Sequence, residues 1–137
     1  MIESLSSPER LKNMGFRQVG EWTIEASKIQ FALDDAAFAE NVLYAFISQD
    51  TVMYIGKTTQ ALKQRMGGYK NPAPTQTTNI KGNRLISGIL SLNQSVAIYA
   101  LPDNGLLFYG GFHVNLAAGL EDNLIKTLNP PWNGAGL

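Results

Sequence analysis

Three short stretches of the sequence contain residue types that could hold an anion or a metal ion. In "TVMYIGKT", Gly56 lets the backbone bend or approach a ligand closely, and Lys57 beside it supplies a positive charge. Arg65 and Tyr69 are four residues apart, so a helix would bring them together on one face. Glu121 adds a carboxylate later in the chain. The first stretch therefore has an anion as one candidate partner.

Glu121 lies at the margin of the apolar face of a predicted helix. In "NLAAGLEDNLIKTL" it is four residues from both Ala117 and Ile125. Removing a carboxylate from water is costly unless the group is paired or bound to a metal. Two interpretations remain open: a structural ion pair with a base from elsewhere in the chain, or a functional carboxylate.

The charges are unevenly distributed, although the chain has 11 basic and 11 acidic residues. The first fifty residues contain eight acidic and four basic residues. Residues 51–102 contain no acidic residue. This basic segment is either a surface that faces phosphates or an ordinary solvated surface. Its bases are Lys57, Lys63, Arg65, Lys70, Lys81 and Arg84.

The composition excludes some classes of site. There is no cysteine, so disulfides, thiolate zinc sites and cysteine nucleophiles are ruled out. The N-terminus resembles no secretory signal, and no stretch has the 18 or so apolar residues that a membrane span needs. We therefore expect a cytoplasmic protein without a membrane partner.

The elements that must position these residues form an α+β pattern. Apolar runs predict three strands, "VLYAFI", "VMYI" and 96–101, the first two joined by "SQDT". Helices are predicted at about 59–69, 83–93 and from about 115 to just before Pro130. An N-terminal hairpin with its turn at 25–27 precedes them. We divide the chain into an N-terminal arm and hairpin, 1–40, and a main domain, 41–137.

The order of these motifs resembles the GIY-YIG nuclease family. The resemblance rests on "VLYAF", "YIGKT", an arginine on the following helix, a lone glutamate on a later helix and "NPPWN". It implies a small three-stranded antiparallel sheet flanked by helices, to which the N-terminal hairpin is added. It also implies a metal-dependent DNA endonuclease. The first motif departs from the family, because Val42 and Leu43 replace its glycine and isoleucine.

The resemblance assigns candidate catalytic residues. One departure is Tyr69, which stands where some relatives have a histidine. By resemblance, Glu121 would bind Mg²⁺, with Mn²⁺ able to substitute, and no small-molecule cofactor is expected. The candidates are Tyr44, Tyr54, Lys57, Arg65, Tyr69, Glu121 and Asn133.

The candidate groups imply a division of labour in phosphodiester hydrolysis. Arg65 would hold the phosphate through its forked donors. Tyr44 is the family's suggested general base, but a phenol with a pKa of about 10 is rarely ionised at neutral pH. Lys57 would either lower that pKa or take the proton itself. Asn133 would fix parts of the site by hydrogen bonds.

Recognition of DNA would come from the polar stretch 70–84, predicted as a loop, from the N-terminal hairpin, or from a homodimer. The candidate DNA-binding residues are Lys63, Lys70, Lys81 and Arg84. A restriction or mobile-element role is favoured over repair. Two other functions remain open: a catalytically silent nucleic-acid-binding module with the same fold, and a structural or interaction protein.

Overall fold

The computed structural model describes residues 7–102 and 108–133. The strands are β1 (Arg17–Glu25), β2 (Lys28–Leu33), β3 (Val42–Ser48), β4 (Thr51–Thr58), β5 (Val96–Pro102), β6 (Phe108–Tyr109) and β7 (Phe112–His113). The helices are α1 (Glu9–Asn13), α2 (Leu62–Lys70), α3 (Thr77–Ser91) and α4 (Leu116–Leu128), with a 3-10 helix at Asp35–Phe38. Among these described residues, no helix is long and apolar enough to cross a membrane.

The predicted α+β class is confirmed, but the main sheet has five strands instead of three. Its order is β2-β1-β5-β3-β4, and all neighbouring strands are antiparallel. The N-terminal hairpin is part of this sheet because β1 pairs with the otherwise open edge of β5. Trp22 lies opposite Val96 in that pairing, and both side chains are buried in the core. The division at residue 40 stays a prediction.

Two layers of helix cover the sheet, which explains why every residue of β3 is buried. On one face, Leu62 and Met66 of α2 and Ile86 of α3 pack in the cluster that contains Tyr44. On the other face, Leu11 of α1 packs with residues of α4 around Leu43. Successive residues of β3 therefore point into two separate cores.

The β3–β4 hairpin contains an irregularity that determines which face each side chain of β4 occupies. Gln49 and Asp50 both have positive φ, 52° and 59°, as a two-residue hairpin turn of type I′ requires. A bulge then shifts the register, so that Phe46 pairs with Tyr54 but Ile47 pairs with Val52. The extra residue places Tyr54 on the same face as Phe46, whereas Val52 lies in the opposite core.

Two helices differ from the sequence prediction at their starts. Helix α2 begins at Leu62, after a turn in which the Thr58 hydroxyl accepts a hydrogen bond from the Gln60 amide. Helix α3 begins at Thr77, because its polar first turn packs beside α2 although it has no apolar periodicity. The predicted 70–84 loop is therefore wrong over most of its length, and Lys81 and Arg84 lie on α3.

Candidate active site

Three tyrosines from separate elements meet on the α2/α3 face of the sheet. Tyr44 of β3 and Tyr69 of α2 are each only 1% exposed. Their hydroxyl oxygens are hydrogen-bonded at 2.8 Å. Tyr54 of β4 lies beside them, with its ring centroid 6.3 Å from that of Tyr44. The structure thus brings together three of the predicted site residues in a buried aromatic cluster.

Two glycines make room for these rings. A Cβ atom at Gly56 would lie 2.6 Å from the Tyr44 ring, and one at Gly82 would lie 2.6 Å from the Tyr69 ring. The strand predicted as "VMYI", which would end just before Gly56, is longer than expected, since β4 continues to Thr58. Gly56 is required because the ring of Tyr44, the residue paired with it, occupies the space that a side chain would need.

Arg65 extends the tyrosine cluster towards the surface. Its NH2 group donates to the Tyr69 hydroxyl at 2.8 Å, and its NH1 group donates to Oδ1 of Asn79 at 2.7 Å. The guanidinium also lies 4.1 Å from the centroid of the Tyr69 ring. The expected helical proximity of Arg65 and Tyr69 is therefore present. A continuous chain of hydrogen bonds joins Asn79, Arg65, Tyr69 and Tyr44.

Asn79 was not found by sequence reasoning. It lies in the first turn of α3, where the sequence predicts a loop, and it is 8% exposed. No signal in the sequence indicated its burial, because the polar run "TQTTN" lacks the apolar spacing that usually indicates a buried helix face. Its burial results from the packing of α3 beside α2.

Burial controls protonation in the tyrosine cluster. It raises the pKa of Tyr44 well above the usual value for a phenol, although the charge of Arg65 acts in the opposite direction. Burial likewise raises the pKa of Tyr69. Both hydroxyls therefore remain neutral at physiological pH. This makes Tyr44 a poorer general base than an exposed tyrosine would be.

Lys57 and Glu121 form an ion pair on the opposite face of the sheet. The Nζ atom of Lys57 is 3.7 Å from Oε1 of Glu121, and the two side chains are 47% and 19% exposed. Lys57 pairs across the strands with Leu43, which belongs to the α4 core. The structural ion pair left open by the sequence is thus present. The expectation that Lys57 lies beside Tyr44 is wrong, because successive residues of a strand point to opposite faces.

Glu121 is compatible with a single magnesium ion. Within residues 7–102 and 108–133, no group of three or more His, Cys, Asp or Glu side chains could enclose a metal. Mg²⁺ is commonly held by one or two carboxylates, with waters and substrate phosphate oxygens completing its shell. A lone, partly exposed carboxylate fits that donor set. Lys57 would lose its partner to the metal.

Asn133 binds the backbone of β4 at Ile55, the residue that follows Tyr54. Its Oδ1 accepts from the amide of Ile55, and its Nδ2 donates to the carbonyl of the same residue, both at 2.9 Å. The neighbouring Trp132 amide donates to the carbonyl of Met53 at 2.8 Å. The chain after α4 therefore satisfies the outer edge of β4. This holds the strand that carries Tyr54 and Lys57.

The four candidate DNA-binding residues lie on α2 and α3. On α2, the Nζ atoms of Lys63 and Lys70 are each 6.0 Å from an aromatic ring centroid, of Phe38 and Phe31 respectively. On α3, Lys81 is half-buried and Arg84 is exposed. A groove of about 620 Å³ runs over Arg65 between these helices. Its polar lining includes Gln60, Gln64, Gln76, Thr77 and Thr78.

Solved structures that resemble this fold include the following two. One is a glutamate-to-alanine mutant of bacteriophage T4 EndoII, with a TM-score of 0.71 and 24% identity over 93% of this chain and 98% of that chain. The other is restriction endonuclease HPY188I in complex with product DNA, with a TM-score of 0.53 and 18% identity over 98% of this chain and 94% of that chain. The sequence matches no protein-family model and no curated protein.

Proposed function

We propose that this protein is a DNA endonuclease that hydrolyses phosphodiester bonds by the single-metal chemistry of GIY-YIG nucleases. The fold shared with restriction endonuclease HPY188I supports a nuclease. The observation that carries the proposal is the fixed guanidinium of Arg65. It is held by two hydrogen bonds beside a buried tyrosine cluster and lines a polar groove.

Arg65 would bind the phosphate that is cleaved. A guanidinium has five N–H donors in a rigid fork, so the bonds to Asn79 and Tyr69 fix its orientation without using all of them. Donors held in place before the reaction stabilise the negative charge that develops on the phosphoryl oxygens. Tyr69 would orient Arg65 through its hydrogen bond to NH2, and Tyr44 would hold Tyr69 through the bond between their hydroxyls.

Glu121 would hold the divalent ion, Mg²⁺ or Mn²⁺. Because β4 is the edge strand of the sheet, a phosphate at that edge would be within reach of both faces, and the ion, when bound, would neutralise charge at the departing oxygen. Tyr44 is a poor acceptor for the proton of the attacking water, because its hydroxyl is buried and its pKa is raised. Lys57, which is about half exposed and paired with Glu121, would supply positive charge beside the metal site. Asn133 keeps β4, and with it Lys57, in place.

The basic surface of α2 and α3 would carry the DNA, through Lys63, Lys70, Lys81 and Arg84. Contacts of this kind bind phosphates and position the strand beside the catalytic arginine. A homodimer would allow cleavage of both strands. We also propose a restriction or mobile-element role in the cytoplasm, for which the likeness to restriction endonuclease HPY188I is the support.

The decisive experiment is cleavage of supercoiled plasmid and of single-stranded DNA with Mg²⁺, Mn²⁺ or EDTA. Glu121→Gln keeps the shape of the side chain but removes its charge, so it should lower metal-dependent cleavage at least about 100-fold while DNA binding persists. Asp122→Asn is the matched control, because Asp122 is the exposed neighbour on the same helix. It should cleave like the wild type.

Each alternative function has its own signature in this experiment. Equal cleavage by Glu121→Gln and wild type would exclude Glu121 as the metal ligand. DNA binding that weakens with salt, without cleavage by the wild type, would instead indicate the silent binding module. An absence of DNA binding at low salt would indicate a structural or interaction protein.

A further inference from the structure

A buried amide fixes the orientation of the catalytic candidate Arg65. Oδ1 of Asn79 accepts from NH1 of Arg65 at 2.7 Å, and Nδ2 donates to Oε1 of Gln76 at 3.0 Å. The same Gln76 oxygen accepts from the backbone amide of Ala73 at 3.1 Å. Because arginine can only donate, the amide oxygen must face it, and the orientation of Asn79 is determined.

The bond to Asn79 differs from the other bond of Arg65 in its origin. Tyr69 lies on the same helix as Arg65, one turn away, and contacts NH2. Asn79 reaches NH1 from a different helix, α3. Two bonds to two nitrogens define the plane of the guanidinium, whereas the Tyr69 bond alone permits it to turn about that contact.

Gly68 of α2 leaves space for this arrangement. A Cβ atom on Gly68 would lie 3.1 Å from Nδ2 of Asn79 and 3.4 Å from NH1 of Arg65. A Cβ atom on Gly67 would meet nothing within 4 Å. Glycine inside a helix is destabilising relative to alanine. The chain thus carries an unfavourable helix residue at the position where a side chain would press on the Arg65–Asn79 pair.

We propose that Asn79 is a positioning residue that holds the guanidinium plane of Arg65 in the orientation that binds the cleaved phosphate. The inference rests on the proposed function, and it adds a residue that no family motif identifies. Asn79 acts only through Arg65. Its removal should therefore lower the rate of the chemical step more than the affinity for DNA.

The first test compares Asn79→Leu with Asn79→Asp. Leucine has a similar size but accepts no hydrogen bond, so kcat should fall by on the order of 100-fold with KM nearly unchanged, as expected for a misplaced catalytic group. Aspartate keeps an acceptor for NH1 but loses the donor to Gln76, so it should recover part of the lost kcat. An unchanged kcat in Asn79→Leu, or no recovery in Asn79→Asp, would overturn the proposal.

A second pair of variants covers the case in which Asn79→Leu does not fold. Gly68→Ala should lower kcat by about tenfold, because its methyl group displaces Asn79 and Arg65, whose placement sets the rate. Gly67→Ala adds the same methyl group into open space on the same helix and should leave kcat unchanged. Equal kcat values for these two variants would also overturn the proposal.

A readout that needs no cleavage separates failure of this proposal from failure of the proposed function. In the wild type, the Arg65 side-chain N–H signals should be resolved by NMR at low temperature because both nitrogens are hydrogen-bonded. They should broaden in Asn79→Leu and return in Asn79→Asp. If the wild type cleaves no DNA but the variants show this pattern, the nuclease function is rejected and the positioning of Arg65 by Asn79 is retained. Identical spectra for the wild type and Asn79→Leu would reject the positioning of Arg65 by Asn79.

Discussion

The two faces of the sheet at β4 hold their polar groups in contrasting ways. On the α2/α3 face, Arg65, Tyr69 and Tyr44 are joined by bonds of 2.8 Å, and both tyrosines are buried. On the α4 face, Lys57 and Glu121 are 3.7 Å apart and partly exposed to solvent. Two adjacent residues of β4 face the two environments: Gly56 contacts Tyr44, and Lys57 faces the other way.

The contrast indicates two different tasks. Buried, mutually bonded groups have fixed positions, because any rearrangement would leave a polar atom without a partner in a low-dielectric environment. A partly exposed ion pair contributes little to stability and can exchange its partner at small cost. The first face is therefore suited to holding a phosphate in one geometry. The second is suited to a carboxylate that gives up a lysine for a metal ion.

The largest expected effect comes from changing the fork of Arg65 without changing its charge. Arg65→Lys removes the donors that reach Tyr69 and Asn79 together, so cleavage should fall by about 100- to 1,000-fold. Single-turnover cleavage measures the loss. Arg10→Lys, an exposed position on α1, is the control and should retain activity. Full activity in Arg65→Lys would show that a point charge suffices and that the fixed geometry of the α2/α3 face is unimportant.

The strands and the last helix were predictable because their residues carry strong local patterns. The apolar runs of β3, β4 and β5 and the periodicity of α4 indicate these elements without tertiary information. The start of α3 was not predictable, because its first turn is polar and is held by packing against α2. Joining of the N-terminal hairpin to β5 depends on long-range pairing that no local pattern encodes.

The candidate site was predictable in part for the same reason. Helical spacing brings Arg65 to Tyr69, and the margin of an apolar face identified Glu121 as a residue needing a partner. The facing of Lys57 was missed because the predicted strand stops before it, whereas β4 continues to Thr58 and regular alternation points Lys57 away from Tyr44. Asn79 was missed because a buried amide in a polar run looks like any loop asparagine.

An intermediate effect should appear in the pH dependence of stability. Burial raises the pKa of Tyr44 and Tyr69 in the folded chain, so above about pH 10 the unfolded chain loses protons that the folded chain keeps. Stability is therefore unaffected by these groups below that pH and falls as the pH rises above it. The expected slope is about 1.4 kcal/mol per pH unit for each tyrosine. Urea unfolding between pH 8 and pH 11 measures it.

Comparison with Tyr44→Phe isolates the tyrosine contribution from that of the lysines, which titrate in the same range. The variant lacks one buried phenol, so its stability should decline less steeply by up to about 1.4 kcal/mol per pH unit. Parallel curves for wild type and variant would show that Tyr44 is not shielded from solvent as the structure describes. The α2/α3 face would then differ less from the α4 face in its exposure to solvent.

The smallest expected effect concerns the ion pair on the α4 face. Lys57→Met keeps the unbranched side chain but removes the charge, and stability should change by less than about 1 kcal/mol because the lysine is about half exposed. A double-mutant cycle with Glu121→Gln should give a similarly small coupling energy, measured by urea unfolding in low salt. A coupling of several kcal/mol would mean that the ion pair contributes strongly to the stability of the fold. Glu121 could then release Lys57 only at a cost that opposes metal binding, and the difference between the two faces would disappear.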